Sequence, residues 1–164
     1  MANLCSNETT FTATPEAVKW LHDEVRKIID ESQNYEEHTI KVFNLFACPG
    51  DINERTLGSR YVYIYGCDEV DDKLILRYES AWHPPTNMVE TATNLLKEKS
   101  GDFPVVSEGR YWEEGSGFAG IFICDKDGYR SAETDFDTDY DEDDEDFDFY
   151  QDVLDPALAD LTID

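Results

Sequence analysis

No Lys, Arg or His follows Arg130 in this 164-residue chain. A surface that grips DNA or RNA gains affinity by neutralising phosphates with Lys and Arg, so direct nucleic-acid binding by a chain with so large an acidic surplus is disfavoured. Histidine is scarce throughout. His22, His38 and His83 lie far from one another and from every cysteine, which leaves no metal-ligand spacing and no local Cys-His nucleophile. Cys5, Cys48, Cys67 and Cys124 show no paired spacing, against both a zinc ribbon and a disulfide framework, and read as reduced core thiols. No apolar run approaches the roughly 20 residues that span a bilayer. The first residues lack the charged-then-apolar layout of a signal peptide, so a cytoplasmic location is expected. Gly115, Gly117 and Gly120 match neither phosphate-loop nor dinucleotide spacing and suit a tight hairpin. No cofactor and no metal are expected.

What is abundant is negative charge: 38 acids face 13 Lys and Arg, a net charge of -25. Fifteen of those acids lie in Ser131 to Asp164, where nothing offsets them. From Glu133 the acids fall on alternate positions, through Asp135, Asp137 and Asp139 to Asp141. An extended chain would set them on one edge at steps of about 6.6 Å, a row that imitates a phosphate backbone. A dense block follows in Glu142, Asp143, Asp144, Glu145, Asp146 and Asp148, with Phe136, Tyr140, Phe147, Phe149 and Tyr150 interleaved. The spacing of Leu154, Leu158 and Leu161 predicts an amphipathic end in two short pieces, Asp155 capping the second and Pro156 opening it. A calcium loop starting at Asp137 fails, because Glu142 stands where the loop needs glycine.

Residues 1–130 read as one folded domain and 131–164 as an acidic extension. Leu4 to Thr12 predicts a strand, and Thr14 caps a helix ending near Ser32. Gln33 to Ser59 is read as irregular, with a break at Cys48-Pro49-Gly50-Asp51. Arg60 to Gly66 and Lys73 to Ser80 form a hairpin across the acidic turn Asp68 to Asp72. A helix carrying Met88, Ala92, Leu95 and Leu96 follows, then strands Val105 to Trp112 and Phe118 to Cys124. This order predicts an α+β, ferredoxin-like split βαβ sandwich: an antiparallel sheet with two helices on one face.

Met1-Ala2-Asn3-Leu4-Cys5-Ser6-Asn7, Tyr78-Glu79-Ser80-Ala81-Trp82-His83-Pro84-Pro85, Tyr111-Trp112-Glu113-Glu114-Gly115 and Gly117-Phe118-Ala119-Gly120 stand together in this sequence. The combination resembles the YubB-type ferredoxin-like family of phage and plasmid proteins, over under half of the chain. The resemblance implies a fold and a mobile-element origin, and brings no catalytic residues. The acidic extension lies outside the family pattern.

Two surfaces follow as candidates. The first is the acidic extension with Tyr140, expected to occupy the groove of a basic, nucleic-acid-binding host protein such as a nuclease or another component of a defence system. A disordered, merely solubilising tail is the plain alternative. The second is a shelf of Trp82, His83, Pro84 and Pro85, joined by Trp112 and Glu113, which would serve a protein-protein adaptor; a packing corner is the plain alternative there. Glu113 and Glu114 point in opposite directions and make no acid pair, so no enzymatic activity is expected. Exposed sheet edges leave a homodimer open.

Overall fold

The computed structural model describes residues 3–46, 59 and 61–164. Six strands form one antiparallel sheet: β1 (Leu4–Thr12), β2 (Val62–Val70), β3 (Lys73–Ala81), β4 (Val106–Glu113), β5 (Phe118–Asp125) and β6 (Gly128–Asp135). Their order across the sheet is β2-β3-β1-β4-β5-β6. The helices are α1 (Pro15–Glu31), α2 (Tyr35–Leu45), α3 (Thr86–Ser100) and a short α4 (Asp155–Leu158), the last entered from a π-helical turn, Tyr150–Leu154. Among the described residues no helix is long and apolar enough to cross a membrane.

Strand alternation divides the side chains into two layers. Cys5, Phe11, Leu74, Leu76, Tyr78, Tyr111 and Phe122 face the helices and pack with Val18, Leu21, Val25, Met88 and Leu96 in the main core. The Thr14 hydroxyl accepts the Ala17 N–H at 3.3 Å and starts α1, as the sequence suggests. On the opposite face Trp112 and Ala119 pack against Leu154 of the tail, with Phe136, Phe149 and Leu158 around them. The sheet is therefore covered on both sides, by helices on one and in part by the tail on the other.

Several elements differ from the sequence reading. Tyr35–Leu45, expected to be irregular, is helical because Asn34 Oδ1 accepts the Glu37 N–H at 2.9 Å while Glu37 Oε2 accepts the Gln33 N–H at 3.3 Å. β2 continues to Val70, so the β2-β3 turn contracts to Asp71 and Asp72, with Asp71 in the left-handed region at φ 58°. The boundary placed between Arg130 and Ser131 falls inside β6, whose pairing with β5 runs from Gly128 to Asp135. The break at Cys48-Pro49-Gly50-Asp51 lies outside the described residues.

Helix α2 closes one edge of the sheet. The Val62 N–H donates to Thr39 Oγ1 at 3.3 Å, and the Ile64 N–H donates to His38 Nε2 at 2.9 Å. Edge strands leave such groups unpaired unless something covers them. Accepting through Nε2 places the histidine proton on Nδ1, which has no hydrogen-bond partner among the described residues.

Candidate functional site: the acidic tail and the sheet beneath it

The tail leaves the sheet at Phe136, whose N–H donates to Gly117 O at 2.7 Å. Gly117 sits at φ 71°, and a side chain there would meet Phe136 O and Thr138. The turn that presents Gly117 is locked by Glu113, whose carboxylate accepts the Gly115 and Ser116 N–H groups at 2.7 Å each. Glu113 is thus buried by a structural task, and Trp112 is only 6% exposed beneath the tail. The shelf expected from Trp82, His83, Trp112 and Glu113 therefore loses its last two members. Trp82 is 50% exposed at φ 71°, and its N–H donates to Asn3 O at 2.9 Å. His83 is exposed beside it, its Nδ1 near Pro84 O at 3.2 Å.

The expected acid row from Glu133 to Asp141 stops at Asp135. Glu133 and Asp135 belong to β6, and Glu133 accepts the Tyr111 hydroxyl at 2.9 Å. Burial and this bond push the Tyr111 phenol well above its usual range. From Asp137 onward the carboxylates close local turns instead. Asp137 accepts the Asp139 N–H at 2.9 Å, Asp141 that of Asp143 at 3.0 Å, Asp144 that of Asp146 at 3.1 Å, and Asp148 that of Tyr150 at 2.9 Å. Short Asp side chains compete for backbone donors in this way and break an extended run.

Those turns sort the side chains. Tyr140 stacks on Phe147 with centroids 5.1 Å apart, Phe149 packs edge-on to Phe136 at 5.9 Å, and Tyr150 meets Trp112 at 5.7 Å. Asp137, Asp139, Asp141 to Asp146 and Asp148 are exposed, while Tyr140 is half-buried. Among the described residues no Lys, Arg or His nitrogen comes within ion-pair distance of the carboxylates from Glu133 to Asp148.

Arg77, Arg110 and Arg130 of the sheet are already engaged. A chain of alternating charge crosses the tail-side face: Asp68 to Arg77 at 2.7 Å, Arg77 to Glu8 at 3.2 Å, Glu8 to Arg110 at 3.6 Å, and Arg110 to Asp155 at 3.0 Å. Asp155 was expected to cap a helix; its carboxylate goes to Arg110 instead. The two expected helical pieces are one, because the Asp155 N–H reaches back to Tyr150 O in a widened turn that admits Pro156 into the first turn of α4. Beside this chain an open groove of about 580 Å³ runs along Thr10, Glu108, Ile121, Ile123 and Arg130 to Ile163.

Among the described residues no group of three His, Cys, Asp or Glu side chains is placed to hold a metal ion. Cys5, Cys67 and Cys124 are buried free thiols, Cys5 pushed up to about 12 and Cys67 to about 11 by burial. Cys48 lies outside the described residues. Sequence reasoning missed Glu8, Arg77 and Arg110, whose alternate positions on three strands were the available signal. Comparison of the chain with protein-family models, with curated proteins and with solved structures finds no match.

Proposed function

We propose that this chain is a non-enzymatic inhibitor of phage or plasmid origin that presents carboxylates in place of DNA phosphates to a basic, nucleic-acid-binding host protein, such as a nuclease of a defence system. The observation that carries this reading is the sorting of the tail. Its aromatic side chains turn toward Trp112 and one another, leaving a band of exposed acids from Asp137 to Asp148 that no cation among the described residues pairs. A solubilising tail needs acids but no such backing. Charge held on a scaffold steers a cationic partner and costs less ordering on binding than charge on a loose chain. The β-α-β-β-α-β succession, with β4, β1, β3 and β2 adjacent in that order, supports a ferredoxin-like fold with α2, β5, β6 and the tail as additions. It is also what the resemblance to YubB-type proteins implies.

The test compares the full chain with a variant in which the acids from Asp137 to Asp148 become Asn and Gln, which preserves the turns. Both are used to capture proteins from a bacterial lysate at low and high salt, and each captured protein is then assayed for displacement of bound DNA. Partners lost by neutralisation and by salt, and displaced from DNA by the full chain alone, support mimicry. Unchanged capture and displacement by the neutral variant defeat it.

A second reading, an adaptor, is favoured by one observation: Trp82 and Leu4 are 50% and 45% exposed at neighbouring positions of the sheet end. In that case Trp82→Ala abolishes complex formation and tail neutralisation does not.

A further inference from the structure

The two edges of the sheet are finished differently. At β2 the outward N–H groups of Val62 and Ile64 are taken by Thr39 and His38, and an irregularity between Ile64 and Gly66 interrupts the edge further along. At β6 the register with β5 is unbroken from Gly128 to Asp135, without proline or bulge. The direction of each backbone group follows from one bond. Phe136 N–H donates to Gly117 O, and the donors of a strand alternate sides, so residues 130, 132 and 134 turn toward β5. Ala132 O, 2.8 Å from where a Cβ on Gly120 would stand, lies on the β5 side and agrees. Tyr129, Ser131, Glu133 and Asp135 therefore present their N–H and C=O groups outward, and none of these four N–H groups has a partner among the described residues.

We propose that the open edge of β6 receives an extended Lys- or Arg-rich segment of the partner as a seventh strand. This deepens the reading of the tail as an acidic mimic and rests on it for the partner's basic character. Strand addition supplies main-chain hydrogen bonds, while neighbouring side chains select the sequence. Here the neighbours are Glu133 and Asp135 in the strand, with Asp137 and Asp139 just beyond it, and Arg130 is the one cation within the strand itself. A strand laid along this edge thus exchanges unpaired amides for ladder bonds while its cations meet carboxylates. A second copy of this chain is the poorer occupant, since each copy carries a net charge of -25.

The probe is a short synthetic peptide alternating Lys and Val, compared with the same peptide N-methylated on every second residue, which keeps the charge and removes one edge of donors. Binding to the full chain is followed by titration at low salt and by hydrogen exchange. The plain peptide is expected to bind at least about tenfold more tightly than the methylated one, the factor that about 1.4 kcal/mol of lost backbone bonding produces. It is also expected to slow exchange at the amides of Tyr129, Ser131, Glu133 and Asp135. Ser131→Pro removes one outward donor and should weaken the plain peptide alone. Circular dichroism verifies that this variant is folded, and the exchange pattern of the unmodified chain decides the matter if it is not. Equal binding of both peptides without amide protection overturns edge pairing yet leaves charge mimicry standing. So does binding of neither peptide while DNA displacement succeeds; failure of both assays removes both readings. A dimer of the free chain that Ser131→Pro dissociates also overturns the proposal, because the edge is then occupied by a second copy.

Discussion

Arg110 Nη1 lies 3.0 Å from Asp155 Oδ1, and this pair ties β4 to the far side of the acidic segment. The same guanidinium stands over the rings of Trp112 and Tyr150, at 5.7 and 5.9 Å. Because Asp155 is more than half exposed, the ion pair alone contributes only about 0.5–1 kcal/mol, with the ring contacts adding a similar amount. Arg110→Ala is expected to lower overall stability by roughly 1 kcal/mol and to speed hydrogen exchange through Tyr150–Leu158 much more than through β1 or β3. Raising salt in the unmodified chain should reproduce part of that local effect. Unaltered exchange in Tyr150–Leu158 would mean that apolar packing alone holds the tail.

Leu154 tests that packing directly. It is fully buried against Trp112 and Ala119 on a face that has little other apolar cover. Leu154→Ala should cost about 2–4 kcal/mol of docking free energy and let water reach Trp112, read as a red shift of tryptophan emission. Tyr150→Ala removes a residue that is 49% exposed and should do less. A Leu154→Ala variant with unchanged emission and unchanged unfolding would show that the tail does not depend on this contact.

Sequence periodicity made β1, α1, the β2-β3 pair, α3, β4 and β5 legible, because each buries one face and its apolar residues recur at the matching period. It failed where another signal was stronger. The last cation, Arg130, drew the domain boundary, although β6 continues for five residues beyond it; hydrogen-bonded pairing does not follow charge. The Asn34 to Glu37 capping box was present in the sequence, but the apolar cluster after it lacked a clean stripe. For the tail, alternation of Glu133 to Asp141 was legible as pattern and not as conformation. Asp137 and Asp141 bind backbone N–H groups two residues on, while Phe136 and Tyr140 must reach Phe149 and Phe147, and both demands bend the chain.

Gly120 lies under the ring of Tyr111, directly opposite it in the β4-β5 ladder. A methyl group there overlaps the hydroxyl end of that ring and crowds Ala132 O, so the ring must leave and its bond to Glu133 must break. Gly120→Ala is expected to destabilise the fold by about 3 kcal/mol, from overpacking plus a lost hydrogen bond to a charged group. Tyr111→Phe keeps the ring and loses only the bond, so its cost should be clearly smaller in the same denaturant titration. Equal costs would place the effect in the hydrogen bond and not in the close approach.

His38 makes stability depend on pH. It is 1% exposed, packs 4.7 Å from the Tyr63 ring, and accepts the Ile64 N–H through Nε2. Burial, with Lys41 nearby, lowers its pKa from about 6.5 to about 4. Between those values the unfolded chain holds the proton and the folded chain does not. Stability contributed by the neutral ring is therefore complete above about pH 6.5 and falls as pH drops toward 4, by an amount on the order of 3 kcal/mol. Carboxylates titrate in the lower part of this window, so the effect is read by difference against His38→Gln, whose amide oxygen can accept the same N–H without titrating. The difference in unfolding free energy, unmodified chain minus variant, should decline between pH 6.5 and 5, and the protection of the Ile64 amide, its exchange rate relative to the intrinsic rate at each pH, should fall over the same range in the unmodified chain only. A difference that stays constant with pH would show that the edge of β2 is not closed by a neutral His38.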